Sequence, residues 1–397
     1  MLSNQATRNV TELAEAVLSL RPLAGQLEPP VRAVTGTNGS PPRANLEQLQ
    51  GLLDRVTARL AAPRLRLTAG GPADGGLFGH VVGRRLRLGE LAGPLAEVTP
   101  DTYQAMDRAV DEAAAADFGA FCRRAVTWSP DGTPLNAYAA GDPAAPAVVI
   151  ASACGMPARL AEPWIRRLAA DHHVVTWESR GLFGDVDDFD GELEVDAQAG
   201  DLLAVMDHFG VAAAHVAGLC GGAVIALAAA ARAPERVSSL SLWHGDFEVG
   251  RDDFKTDHQI NLQALMAMAT RGRVNASGIH AVVCQTMTGS VPEDLAHLVL
   301  YPYATPELLF RYCQLNGAIM GTDVRAELAT VRQPTLVVTS EDDTTAHPEG
   351  SRFVAAALPA AELVVTPAGD HLSVFRGSTA LLDMAAHFMR VRGRPGR

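Results

Sequence analysis

The sequence predicts an α/β fold with a mostly parallel sheet over residues 125–397, preceded by a mainly helical region over residues 1–124. Short apolar runs alternate with helical stretches in the longer part, and this alternation is typical of parallel sheets covered by helices on both faces. A glycine-rich turn, Gly218–Gly222, joins one apolar run to an alanine-rich helical stretch. Residues 1–124 lack the alternation, so we predict a separate region there.

Length and charge narrow the classes of protein. A chain of 397 residues suits one large domain with an extension, or two domains. The formal net charge is −12, from 33 basic and 45 acidic residues, and no basic face is evident. Because nucleic-acid binding depends on Lys and Arg contacts to phosphates, we predict no nucleic-acid partner.

Cysteine usage and the chain start bear on location and metals. The cysteines form no CxxC pair and no zinc spacing, so we expect no metal site and a reducing cytoplasm. Met1–Val10 lacks the pattern of a signal peptide, and the longest apolar run, Val216–Ala231, is short for a membrane span. We therefore expect a cytoplasmic protein without a membrane partner. The cysteines are Cys122, Cys154, Cys220, Cys284 and Cys313.

The N-terminal region carries no catalytic constellation. Helices are predicted at Asn9–Leu20, at Asn45–Leu60 and from Thr99 to about Arg124, while Arg64–Val98 has no clear period. Its predicted role is to pack against the longer part of the chain, to cover the entrance to a site there or to form a homodimer.

A proline- and glycine-rich stretch, Arg21–Arg43, is predicted to be a loop or linker. Within it, Val34–Ser40 is similar to the phosphate loop of amide-ligase ATPases, but the lysine is missing and no framing strand or helix is predicted. We interpret that similarity as coincidental.

Residues 125–397 are predicted to begin with a hairpin and to continue as alternating strands and helices. Ala125–Trp128 and Leu135–Ala139 flank the turn Pro130-Asp131-Gly132. Further strands are predicted at Ala147–Ala151, His173–Trp177, Ala213–Leu219, Ser238–Trp243, Thr335–Thr339 and Glu362–Thr366. The helices are predicted at Glu162–Ala170, Val195–Phe209, Ala223–Arg232, Ser351–Ala357 and Leu381–Val391.

A long insertion separates the strand ending at Trp243 from the one starting at Thr335. Periodic apolar pieces, such as Ile260–Met268 and Pro306–Cys313, predict helices within it. We therefore expect a helical cap over the site at about residues 246–330.

The turn Gly218-Leu219-Cys220-Gly221-Gly222 resembles the nucleophile elbow of the α/β-hydrolase superfamily, with Cys where Ser is more usual. The apex of such a turn is strained, so its neighbours must be small, and glycines stand on both sides. The helix that follows points its N-terminus at the apex and favours negative charge there. This resemblance implies an α/β-hydrolase fold for residues 125–397 and Cys220 as the nucleophile.

The same resemblance implies an acid and a histidine later in the chain, in that order. In Ser340-Glu341-Asp342-Asp343, Ser340 takes the place of the family's glycine, so Asp343 matches the acid, with Asp342 as an open alternative. His371, in Ala368-Gly369-Asp370-His371, matches the histidine. Asp343 is expected to hold the tautomer of His371, which takes or shares the thiol proton.

Two backbone amides are expected to form the oxyanion hole. Gly221 follows the nucleophile, and Met156 follows Cys154-Gly155, where the family usually has His-Gly. Cys154 therefore faces the site; it is either a small buried residue, which we favour, or a redox partner of Cys220.

Other positions have weaker assignments. His244 lies at the C-terminal end of a strand, where ligands bind in α/β sheets, and either touches substrate or holds a loop. Tyr301 in the cap either lines the pocket or packs. Glu178, where the family has Asp, is expected to be structural.

The fold does not determine the reaction. A Cys nucleophile favours acyl transfer or thioesterase-like chemistry on a small acyl thioester or a polyketide-derived ester, in bacterial specialised metabolism, without a cofactor. The alternatives are a lyase that eliminates a carboxylate such as acetate, and a non-catalytic small-molecule binding protein.

Overall fold

The computed structural model describes residues 2–34, 43–70, 72–87, 95, 98–184, 189–286 and 293–392. These residues form two compact units. The first unit consists of Met1–Phe121 and Ser277–Pro306, and the second unit consists of Cys122–Ala276 and Glu307–Arg397.

The first unit is mainly helical and includes a small two-stranded parallel sheet. Its apolar core is formed by buried residues of both strands and of the four long helices that precede Phe118. Its elements up to Phe121 are α1 (Asn4–Ala24), β1 (Val31–Val34), α2 (Arg43–Arg59), β2 (Leu65–Thr68), α3 (Pro72–Leu86), α4 (Tyr103–Ala116) and α5 (Phe118–Phe121).

The predicted loop at Arg21–Arg43 is wrong in part. Helix α1 continues to Ala24 with Pro22 inside it, and β1 occupies Val31–Val34. The phosphate-loop-like stretch is thus preceded by a strand and followed by α2, contrary to the sequence-based expectation, although residues 35–42 themselves lie outside the described part. Arg64–Val98 also contains regular structure, namely β2 and α3.

The second unit is built on an eight-stranded sheet. Its order is β10-β9-β8-β7-β5-β6-β4-β3; β3 and β4 are antiparallel, β4 is antiparallel to β6, and all other pairs are parallel. The strands are β3 (Arg123–Trp128), β4 (Pro134–Ala140), β5 (Ala147–Ala151), β6 (His173–Trp177), β7 (Ala214–Leu219), β8 (Val237–Trp243), β9 (Thr335–Ser340) and β10 (Ala361–Thr366).

Burial explains this arrangement. Strands β6, β7 and β9 are buried at every residue, because the sheet is flanked by helices. The helices before the insertion are α6 (Glu162–Leu168), α7 (Val195–His208) and α8 (Gly222–Arg232), and the insertion begins with α9 (Asp257–Ala269). Those after β9 are α14 (Pro348–Ala357), α15 (Ser373–Arg376) and α16 (Thr379–Arg392). The predicted hairpin, strands and helices of this part are confirmed to within a few residues.

The insertion is helical, as predicted, but it is divided between the two units. Its remaining helices are α10 (Arg273–Thr286), α11 (Ala296–Val299), α12 (Pro306–Gly321) and α13 (Arg325–Thr330). Residues 277–306 cluster with the first unit, so the insertion is not a cap formed wholly within the second unit. Among the described residues, no helix has both the length and the apolar character needed to cross a bilayer.

Candidate active site

The C-terminal edge of the parallel strands brings the sequence-predicted residues of the second unit together. Cys220 follows β7 directly, His244 follows β8, and Asp343 lies three residues beyond the end of β9. His371 lies in the loop after β10. Because parallel strands end at one edge of a sheet, residues far apart in sequence become neighbours there.

Cys220 occupies a strained turn between β7 and α8. Its φ is 55°, which is unusual for a residue other than glycine. Its amide donates a hydrogen bond to the Trp243 carbonyl (2.9 Å), and its carbonyl accepts from Ala223 (3.0 Å). The backbone is therefore held on both sides, and the partly exposed thiol stands at the start of α8.

Glycines make the close packing around this turn possible. A Cβ on Gly222 would overlap the Ala151 carbonyl oxygen of the adjacent strand, and one on Gly218 would lie 2.5 Å from Ala223 Cα. Both obstacles are backbone atoms, which cannot move aside as a flexible side chain does.

We expect Gly222→Ala to destabilise the protein by about 1–3 kcal/mol, since the overlap outweighs the better helix propensity of alanine. Gly317→Ala in α12 is the matched control. Its Cβ would meet nothing closer than 3.8 Å, so it should be neutral or slightly stabilising. Thermal unfolding of both variants checks this; an unchanged Tm for Gly222→Ala would contradict the packing argument.

Asp343 is the carboxylate that meets His371. Its Oδ2 lies 2.9 Å from Nδ1 of His371, and its Oδ1 accepts hydrogen bonds from the amides of Thr345 and Ala346, both at 2.9 Å. Asp343 is buried, whereas the open alternative, Asp342, is exposed. Geometry therefore favours Asp343 over Asp342 as the partner of the histidine.

The charges of this group support one another. Burial acts to raise the pKa of Asp343, but hydrogen bonds from His244 and His371 outweigh it and hold that pKa well below its usual range. Burial acts to lower the pKa of His371, but the charge of a Cys220 thiolate and the hydrogen bond to Asp343 hold it well above its usual value. Within the described residues, Nε2 of His371 has no hydrogen bond of ordinary geometry.

The two expected oxyanion donors differ in their present use. Among the described residues, nothing accepts a hydrogen bond from the Gly221 amide. The Met156 amide donates to the Ala153 carbonyl over a long 3.4 Å, and the Gly155 amide before it donates to Ser179 Oγ (2.9 Å). Within the described residues, the Gly221 amide therefore keeps its donor unused, whereas the Met156 amide makes a long, weak hydrogen bond within a turn.

Helix α12 covers both donor loops. A Cβ on Gly155 would lie 2.8 Å from the Tyr312 ring, and one on Gly221 would lie 3.5 Å from Asn316 Oδ1. Asn316 Nδ2 in turn lies 3.4 Å from the Tyr312 hydroxyl. Tyr312 and Asn316 are four residues apart and so share one face of α12, but nothing in the sequence indicates which loops that face covers.

Cys154 is buried in the loop after β5. Burial raises the pKa of its thiol to about 12, despite a hydrogen bond with Ser179. A thiol that stays protonated is neither a nucleophile nor a ready redox partner. This favours the interpretation of Cys154 as a small buried residue.

Two interpretations were left open for each of His244 and Tyr301. His244 is 1% exposed and directs Nδ1 at Asp343 Oδ2 over 2.8 Å, so its ring serves the carboxylate. Tyr301 is buried and belongs to the first unit, so its choice between lining a pocket and packing stays a prediction. Glu178 accepts hydrogen bonds from Asn136 and Ala158, in agreement with a structural role.

A second acidic residue near this group was not predicted. Burial raises the pKa of Asp246 to about 6, partly offset by a hydrogen bond from Gln259. Gln259 also accepts from the amide of His347 (3.0 Å) and so links α9 to the start of α14. The acidic residue is visible in the sequence after β8, but its burial is not.

Nδ1 of His244, Nδ1 of His371 and a carboxylate oxygen of Asp343 lie within 4.8 Å of one another. Nitrogen and oxygen in such a set also suit metal binding. We assign these atoms to hydrogen bonding instead, because the separations of 2.8 and 2.9 Å are those of hydrogen bonds and the other carboxylate oxygen is held by two amides.

Comparisons with known proteins agree on the fold. A family described as "Abhydrolase_4: TAP-like protein" matches residues 317–397. The protein titled "Putative carbamate hydrolase RutD" from Azorhizobium caulinodans is 27% identical over 238 residues, which cover 59% of this chain and 86% of that protein. The protein with the same title from Pseudomonas savastanoi pv. phaseolicola is 25% identical over 235 residues, covering 58% and 88%.

Solved structures give the same result. The enol-lactonase from Burkholderia xenovorans LB400 superposes with a TM-score of 0.54 at 21% identity, covering 68% of this chain and all of that one. The 2-hydroxy-6-oxo-6-phenylhexa-2,4-dienoate hydrolase from Rhodococcus sp. strain RHA1 gives a TM-score of 0.53 at 21% identity, covering 68% and 99%. Together with the strand order, these likenesses establish the α/β-hydrolase fold that the sequence predicted.

Proposed function

We propose that this protein is an enzyme that cleaves a small acyl thioester or ester through a covalent acyl intermediate on Cys220. His371 is the general base and acid, Asp343 holds its tautomer, and the amides of Gly221 and Met156 receive the oxyanion. The observation that carries the proposal is that two features lie together at the C-terminal ends of the parallel strands. These are a cysteine in strained backbone before a helix N-terminus, and a buried histidine bonded to a buried aspartate.

The chemistry follows from these groups. The Cys220 thiolate attacks the carbonyl carbon, and the carbonyl electron pair moves onto the oxygen, which the two amides stabilise. The tetrahedral intermediate collapses with cleavage of the bond to the leaving thiolate or alkoxide, which takes its proton from His371. Water or another nucleophile then gives a proton back to His371 and attacks the acyl-cysteine, which releases Cys220.

Two lines of reasoning support water as the acceptor of the acyl group. The relatives and the solved structures compared above carry titles that name hydrolases or a lactonase, all of which transfer a group to water. A thiolate is also a good leaving group from its own acyl-enzyme, so a second, weaker nucleophile completes the cycle. Transfer to an amine, thiol or alcohol uses the same intermediate and differs only in the acceptor.

Intact-mass spectrometry is the direct test. We expect a short incubation with an acyl-N-acetylcysteamine thioester to add the mass of one acyl group, located on Cys220 by peptide mapping. Cys313 is an internal control, because burial raises the pKa of its thiol to about 12 and it should stay unmodified. Turnover of the thioester with no adduct under rapid quench, and a normal rate for Cys220→Ala, would contradict the covalent mechanism.

A further inference from the structure

Two histidines, rather than one, bind the same oxygen of Asp343. Nδ1 of His244 lies 2.8 Å from Oδ2, and Nδ1 of His371 lies 2.9 Å from that same atom. The side chain of Asp343 is 0% exposed and that of His244 1% exposed. With the two amides on Oδ1, the carboxylate accepts four N–H donors and has no contact with solvent.

His244 reaches this position through strained backbone. Its φ is 49°, which glycine and asparagine adopt far more readily than histidine. Its amide donates to the Val338 carbonyl in β9 (2.8 Å), which fixes the turn after β8. Non-glycine residues persist in such backbone where surrounding structure compels it, and they concentrate at functional sites.

We propose that His244 is a positioning residue that fixes the Asp343 carboxylate against His371. The inference rests on the proposed role of Cys220 and His371 and adds a fourth side chain to the three that the fold led us to expect. His244 replaces the solvent that would otherwise satisfy the second lone pair of Oδ2. It thereby keeps the buried carboxylate ionised and stops it from turning away from His371.

Other charged groups surround this pair. Cys220 acts on His371 from the turn after β7, and Asp246 acts on both His371 and Asp343 from the segment after β8. His258 on α9 also interacts with both. None of these three donates a hydrogen bond to Asp343 in the described part of the chain, so His244 makes a contribution that they do not duplicate.

The test is the pH dependence of Cys220 alkylation by iodoacetamide, measured on the Cys220 peptide of the folded protein. In His244→Leu, Asp343 loses a donor, its pKa rises and its hold on the His371 imidazolium weakens. The thiolate is then less well stabilised by its imidazolium partner, so we expect alkylation to be about tenfold slower at pH 6. At pH 9.5 the difference should vanish, because a thiol with a free pKa of about 8.5 ionises unaided.

His244→Asn is the conservative variant. Its side-chain nitrogen takes the place of Nδ1, and asparagine tolerates the left-handed backbone, so we expect a profile close to that of the unmodified protein. His172→Leu is the matched control. His172 is a buried histidine that precedes β6, at the N-terminal ends of the parallel strands and so away from the ends that carry Cys220 and Asp343, and its ring is hydrogen-bonded to Leu168. It should leave the profile unchanged. If His244→Leu does not fold, His244→Gly relaxes the backbone, lacks the donor and should show the same shift.

The outcomes separate the two claims. If Cys220 in the unmodified protein reacts at pH 6 no faster than an ordinary thiol, the proposed function fails. If it reacts faster and the His244→Leu or His244→Gly profile coincides with it, the role of His244 alone is overturned. A shift that His244→Asn does not restore, or that His172→Leu also produces, likewise overturns it, since a loss of general stability would then explain the change.

Discussion

Replacing Cys220 with alanine is expected to remove turnover while leaving the fold intact. The loss should be on the order of 10⁶ in kcat, as for removal of the nucleophile from a well-studied triad. The fold should persist because alanine at φ 55° is strained to the same degree as cysteine, and the amide and carbonyl bonds of the turn do not involve the side chain. Steady-state kinetics with circular dichroism checks both statements.

Two further substitutions at Cys220 control this experiment. Cys220→Gly relieves the left-handed backbone, so its free energy of unfolding should exceed that of Cys220→Ala by about 1 kcal/mol. Cys220→Ser keeps a hydroxyl that needs stronger help from the base and should retain a small remnant of activity. A rate for Cys220→Ala near that of the unmodified protein would remove the covalent mechanism from consideration.

The fold of the second unit was predictable because its signals are local. A buried parallel strand is a short apolar run, and β5 and β6 begin and end where the sequence predicted. The turn at Gly218–Gly222 is equally local, since steric limits on both sides of Cys220 admit only small residues. Once those strands are placed, their common edge brings the residues after them together without knowledge of any long-range contact.

The first unit was less predictable, for two physical reasons. Strands β1 and β2 have four residues each, too few for a hydrophobic pattern to stand out. Pro22 lies inside α1, although a proline usually indicates that a helix has ended. Residues 277–306 join this unit although six of the eight strands of the second unit's sheet lie between them and Phe121 in sequence. Such membership depends on packing that no local pattern encodes.

The role of His244 shows the limit of reasoning from residue type. Its place after β8 made it a candidate site residue. Its positive φ could not be predicted, because glycine is the usual sequence signal for such a backbone and this position holds a histidine. The direction of its ring depends on the turn, and the turn depends on a hydrogen bond to β9. The choice between Asp342 and Asp343 was open for the same reason, since neighbouring residues in a turn point in different directions.

Asparagine in place of Asp343 is the second substitution with a large expected effect. The acid of a triad holds the histidine in the tautomer that leaves Nε2 free to accept a proton, and the change to asparagine costs about 10⁴ in kcat in the best-studied case. Here Oδ2 accepts from two histidines, so an amide nitrogen at that position would face two donors. If the side-chain amide rotates so that its oxygen faces the two histidines, its nitrogen faces the backbone N–H groups of Thr345 and Ala346.

We therefore expect Asp343→Asn to lower kcat by about 10⁴ or more, because no orientation of the amide satisfies all four N–H donors. Asp342→Asn is the matched control: its carboxylate is exposed, and the change should leave kcat within a factor of about 2, as for surface substitutions generally. Kinetics of both variants, with thermal unfolding to separate lost activity from lost fold, decides the matter. If Asp342→Asn loses most of its activity and Asp343→Asn stays active, Asp342 is the acid of the triad. The hydrogen-bonded pair of Asp343 and His371, on which the proposed mechanism depends, would then not be the catalytic one.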